Sequence, residues 1–107
     1  MRKLIAALSA TALLGALAIP AFGATKTIQL GDNFFKPKTA TVKKGTTVKW
    51  VWKGDKPHNV VVKSGPVKFQ SKVKTSGSYV KKLSKAGTYR ILCTIHADEM
   101  KLTLKVK

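Results

Sequence analysis

The feature that most constrains this chain is a two-residue rhythm of apolar and polar side chains, repeated in short runs and cut by glycine and proline. Alternation of that period places successive side chains on opposite faces of a strand, and no ten-residue stretch after the first quarter of the chain carries a convincing helical period. Lys26 to Leu30 sets Ile28 and Leu30 on one face before Gly31-Asp32-Asn33 breaks the run ahead of Phe34-Phe35 and Pro37. Thr39 to Lys43 and Thr46 to Trp52 flank Lys44-Gly45, a turn signal that predicts a hairpin, with Val48, Trp50 and Trp52 inward and Lys49 and Lys53 in water. Gly54-Asp55-Lys56-Pro57 leads into His58-Asn59 and the apolar run Val60-Val61-Val62, which predicts a strand covered on both sides with His58 at its entrance.

From Ser64 to Gly77 the sequence is polar and predicts loop with at most one short strand. Alternation returns in Ser78 to Leu83, in Thr88 to Cys93 (Tyr89, Ile91 and Cys93 on one side) and most cleanly in the last residues, where Leu102, Leu104 and Val106 alternate with lysines and threonine. Seven or eight short strands with frequent turns predict an all-β sandwich or barrel. Lysines on the outer faces would discourage edge pairing.

The first 23 residues follow a different logic. Arg2 and Lys3 precede an uncharged run from Leu4 to Ile19, and Pro20-Ala21-Phe22-Gly23 then supplies small residues. This is the pattern of a signal peptide at 1–23, with Ala21 and Gly23 at the −3 and −1 sites, followed by one domain at 24–107. An uncleaved membrane anchor is the competing reading, because the run approaches the ~20 residues that span a bilayer, and Pro20 disfavours it. The segment has no cysteine to accept a lipid. The expected location is therefore outside the cytoplasm, periplasmic or extracellular.

Without Arg2 and Lys3, 19 basic side chains face 4 acids, Asp32, Asp55, Asp98 and Glu99, a formal charge of +15. Such a field favours anionic partners and speeds encounters but does not choose among nucleic acid, envelope polymers and acidic redox proteins. No basic and aromatic signature of nucleic-acid stacking accompanies the charge, so no nucleic-acid partner is expected. Trp50, Trp52, Phe34, Phe35, Phe69 and Tyr89 are expected to fill the core of a small domain.

Cys93 is the one cysteine, so no disulfide within the chain can staple this exported domain, and metal ligation is the best account of a lone thiol there. Three metal-binding side chains fall in the loop Cys93-Thr94-Ile95-His96-Ala97-Asp98-Glu99-Met100, and His58, which with His96 makes up all the histidine, lies on a distant strand. A thiolate, two imidazoles and a weak axial thioether match the trigonal preference of copper cycling between Cu(I) and Cu(II). Asp98 and Glu99 are adjacent, point apart and have no accompanying nucleophile, so they read as solvated rim.

On Pro57-His58-Asn59-Val60, on Gly87-Thr88-Tyr89-Arg90-Ile91-Leu92-Cys93-Thr94-Ile95-His96, on Met100 and on the closing lysine-flanked strand, the chain resembles the cupredoxins, the small blue copper proteins, over residues 26–107. The resemblance implies an eight-stranded Greek-key sandwich and one type 1 copper ion held by His58, Cys93, His96 and Met100. It also implies one-electron transfer rather than enzymatic catalysis, and a hydrogen bond from Asn59 across to Thr94. The expected carrier is a monomer whose acidic redox partner docks around His96, with peripheral contact to an anionic envelope surface. Copper sequestration or delivery is the alternative function, and a cationic polyanion-binding module a third.

The sequence departs from the family pattern in three places. His96 and Met100 are four apart where many relatives have three or five, no proline adjoins His96, and Trp52 stands where many plastocyanin-like chains carry Asn.

Overall fold

The computed structural model describes residues 24–107, and the signal-peptide reading of residues 1–23 lies outside them. The chain runs through β1 (Thr25–Gly31), β2 (Phe34–Lys36), β3 (Thr39–Val42), β4 (Thr47–Trp52), β5 (Val61–Ser64), β6 (Ser78–Lys82), β7 (Gly87–Leu92) and β8 (Lys101–Val106). A short 3₁₀ turn, Thr94–His96, interrupts the loop between β7 and β8. The strands form two four-stranded sheets, ordered β2-β1-β4-β6 and β3-β8-β7-β5. The all-β sandwich expected from the alternation is what forms.

Period-two patterning accounts for the core directly. Ile28 and Leu30 of β1, Val48, Trp50 and Trp52 of β4, Tyr89 and Ile91 of β7, and Leu102, Leu104 and Val106 of β8 are all buried, while the residues between them face outward. Registers stack these inward residues side by side: Ile28 with Trp50, Leu30 with Trp52, Tyr89 with Leu104 and Ile91 with Leu102. Packing two such faces removes both from water, which is the main favourable term in folding a domain of this size. Phe35, Trp50, Trp52 and Tyr89 join the core as expected and Phe69 packs against it, but Phe34 is 43 % exposed. Its neighbour Phe35 takes the inward position of β2, and alternation then sends Phe34 outward.

Two strand expectations fail. The hairpin predicted from Thr39 to Trp52 does not form, because β3 pairs in parallel with β8 in one sheet and β4 pairs in parallel with β1 in the other. The Lys44-Gly45 turn is real, with Gly45 at φ +94° and the Thr46 N–H donating to the Lys43 carbonyl, but it carries the chain over the edge from one layer to the next. A hairpin and an inter-sheet corner both turn Val42 and Val48 inward, so local patterning does not separate them. The run Val60-Val61-Val62 is not a strand covered on both sides. β5 is an edge strand beginning at Val61, which is only partly buried. Val60 lies outside it, buried, with its N–H donated to Ser71 Oγ.

The polar stretch between β5 and β6 contains no strand but lies against the chain entering β5 through two isolated bridges, His58 with Lys74 and Val61 with Gln70. That segment is what fixes the backbone of His58. The Tyr89 ring is fully buried and its hydroxyl donates to the Lys85 carbonyl at 2.8 Å, closing the turn before β7. Tyr89→Phe is expected to lower stability by about 1 kcal/mol, the net worth of one such bond, with no change in the sheets. Urea unfolding followed by Trp fluorescence measures it, and an unchanged midpoint would show the bond to be worth nothing.

Candidate metal centre

His58, Cys93 and His96 come together at one end of the sandwich, their ligand atoms all within 4.8 Å of one another. His58 Nδ1 lies 3.9 Å and His96 Nδ1 3.8 Å from Cys93 Sγ, and the two imidazole rings are 5.1 Å apart centre to centre. His58 and Cys93 are fully buried, and His96 is the partly exposed member. Residues separated by 35 positions thus meet because β5 and β7 are neighbours in the same sheet, with Val61 opposite Leu92.

The loop is pre-shaped by its own backbone. The Cys93 N–H donates to the Met100 carbonyl at 3.1 Å, closing the loop where β7 ends and β8 begins. Within it, the His96 N–H donates to the Cys93 carbonyl, and the Glu99 and Met100 N–H groups both donate to the His96 carbonyl. Met100 is fully buried. Asp98 and Glu99 are exposed and line a shallow recess with Ile95, His96 and Ala97.

Asn59 ties the two halves of the site. Its side-chain N–H donates to Thr94 Oγ1 at 2.9 Å, and its carbonyl oxygen accepts the Thr94 N–H, also at 2.9 Å. Thr94 directly follows Cys93, so these bonds hold the cysteine loop against the strand entrance that carries His58. The indole Nε1 of Trp52 donates to the His58 carbonyl at 3.0 Å, and His58 exchanges backbone bonds with Lys74 in both directions at 2.9 Å. The departure at position 52 therefore braces the backbone of the buried histidine.

Sequence reasoning missed Asp32. Its Oδ1 lies 2.9 Å from His58 Nε2, while Oδ2 accepts the Asp55 N–H at 2.9 Å and Oδ1 the Lys56 N–H at 3.0 Å. These donors, the Asp55 N–H foremost, then the His58 ring and the Lys56 N–H, hold the carboxyl pKa down at about 2. Gly54 makes room for it, since a Cβ there would lie 2.2 Å from Asp32 Oδ1. No motif spacing announces this contact. It follows from the parallel register of β1 and β4, in which Leu30 lies opposite Trp52 and the residues just beyond each strand meet.

The donor set suits copper. One thiol and two imidazole nitrogens converge in a mostly buried cluster, the soft, nitrogen-rich combination that a trigonal copper site requires, with a buried thioether residue at the loop exit.

Comparison with known proteins agrees with the geometry. The family described as copper binding proteins, plastocyanin/azurin family, matches residues 24–107. Amicyanin-alpha of Methylorubrum extorquens is 33 % identical over 101 residues, covering 86 % of this chain and 84 % of that protein. Among solved structures, an oxidised amicyanin variant superposes with a TM-score of 0.68 at 28 % identity, covering 84 % of this chain and 88 % of its own. A purple cupredoxin from Nitrosopumilus maritimus shares the fold, with a TM-score of 0.68 at 20 % identity over 77 % of this chain and 99 % of that one. A copper-containing nitrite reductase from Thermus scotoductus SA-01 also superposes with a TM-score of 0.68 at 28 % identity; the match covers 78 % of this chain and only 22 % of the reductase. With two packed sheets and a His2Cys cluster at one end, the chain belongs to the plastocyanin/azurin family of copper binding proteins, the cupredoxins.

Proposed function

We propose that the protein is an exported, monomeric one-electron carrier whose copper ion would be held by His58, Cys93, His96 and Met100. The observation that carries this reading is the convergence of both histidine Nδ1 atoms on the Cys93 sulfur in a cluster shielded by the sandwich. Copper bound there supplies a one-electron couple between Cu(I) and Cu(II).

The protein's own residues have distinct parts. Cys93 would supply a thiolate to the ion, and its position immediately after β7 fixes the sulfur to the rigid sheet. His58 anchors the deep side and is shut off from water. His96 is the partly exposed member of the cluster, so its ring would be the side on which a partner meets a bound ion. Asn59 and Thr94 hold the loop closed, which would limit reorganisation around a bound ion. Four ligands would leave no position on the ion for substrate, and both histidines of the sequence belong to this one cluster. These features favour a carrier over an enzyme.

The partner is an acidic redox protein. Exposed cations cover the outer faces of both sheets, Lys36, Lys49 and Lys82 on one, Lys63, Arg90, Lys101 and Lys105 on the other, and generate the long-range field that draws it in. All four acids lie in loops at the metal end, with Asp98 and Glu99 beside His96. Contact at His96 then falls to exposed Ile95 and Ala97, while the two acids oppose the last approach of an acidic surface.

Purified protein loaded with Cu(II) is expected to show intense visible absorption from thiolate-to-copper charge transfer, lost in Cys93→Ala. A colourless wild type would overturn the carrier reading in favour of copper sequestration. Electron-transfer rates with an acidic partner are expected to fall by about tenfold or more as salt screens the field. Neutralising the rim with Asp98→Asn and Glu99→Gln should raise the second-order rate at low salt, as read by stopped-flow spectroscopy. An unchanged rate would place the docking site elsewhere, and a lowered one would overturn an acidic contact surface on the partner.

A further inference from the structure

His58 presents an imbalance between its two ring nitrogens. Nδ1 faces the Cys93 sulfur at 3.9 Å, and Nε2 lies 2.9 Å from a carboxylate oxygen. An ionised carboxylate only accepts, so in the neutral ring the proton sits on Nε2, and Nδ1 is left with a bare lone pair directed at the metal centre. The carboxylate is itself fixed: two backbone N–H groups, of Asp55 and Lys56, bind its oxygens, and Gly54 leaves the space it occupies. His58 is fully buried, while the Asp32 side chain is 28 % exposed. The charge therefore stays solvated on one side while its other side touches the ring.

We propose that Asp32 is a positioning residue for the metal centre: it selects the Nδ1-donating tautomer of His58 and, by drawing on the Nε2 proton, makes that ring a stronger donor to Cu(II) than to Cu(I). A carboxylate behind a metal-bound imidazole raises the basicity of the ligand, and the ion of higher charge benefits more. Asp55 provides the contrast. It contributes only its backbone N–H to this arrangement, so its own exposed carboxylate does not act through His58.

This inference rests on the copper reading above, and its test separates the two. In the full-length protein without metal, nitrogen-detected NMR of His58 is expected to report Nε2 protonated and Nδ1 bare. The opposite tautomer would overturn the proposal whatever the protein does with copper. Asp32→Asn keeps an oxygen for the Nε2 proton and removes the charge. Affinities for Cu(II) and Cu(I), measured by competition, are expected to shift apart, with Cu(II) binding falling about tenfold relative to Cu(I). That ratio corresponds to a one-electron reduction potential about 59 mV higher, read by voltammetry. Asp55→Asn is expected to leave the ratio unchanged. If Asp32→Asn weakens both oxidation states equally, or if Asp55→Asn moves the potential as far, then Asp32 merely braces a loop and the proposal fails. Visible absorption retained in Asp32→Asn would uphold the copper site in either case.

Discussion

The imidazole of His58 is wholly buried, and a buried imidazole has to satisfy both of its nitrogens. Here one nitrogen is met by the Asp32 carboxylate and the other faces the thiol of Cys93. Nearly every local peculiarity of the metal end serves that ring. The β1–β2 turn delivers Asp32, Gly54 admits it, the Trp52 indole and the Lys74 backbone hold the His58 main chain, and Asn59 ties the next residue to Thr94. Because those groups come from both sheets and from the long segment before β6, the centre is coupled to the integrity of the whole sandwich rather than to one loop.

The distribution of charge has a similar logic. Placing the cations on the outer sheet faces costs little, since exposed lysines keep their ammonium groups hydrated, and it also leaves the edge strands unattractive to other chains. The acids serve a different end. One is consumed in holding His58, and Asp98 and Glu99 rim the exposed histidine, so these acids gather at the metal end.

Much of this was legible in the chain, and the omissions have a common cause. Alternation located β1, β4, β7 and β8 and their inward faces, because period two is a local property of a strand. The cluster was legible because Cys93 and His96 lie three positions apart in one loop, and His58 because it opens an apolar run. Asp32 was passed over as part of a turn, since its partner is 26 residues away. The Lys44-Gly45 corner was misassigned to a hairpin because a turn signal records a change of direction and not which strand is met afterwards. Trp52 was legible as a core residue, yet its bond to the His58 carbonyl depends on where the next loop folds back.

The sequence by itself determined the class of fold, the inward set of side chains, the strongly basic character and the chemical identity of the donors, all of which depend on residue type and short-range order. Only the tertiary structure decided that β3 and β4 belong to different sheets, that β5 is an edge, and that a surface carboxylate stands behind the buried His58. Those features follow from the parallel pairings of β1 with β4 and β3 with β8 and from the closure of one sheet on the other. Such long-range contacts are set by the packing of whole faces, where many residues act together and no single spacing along the chain records the result.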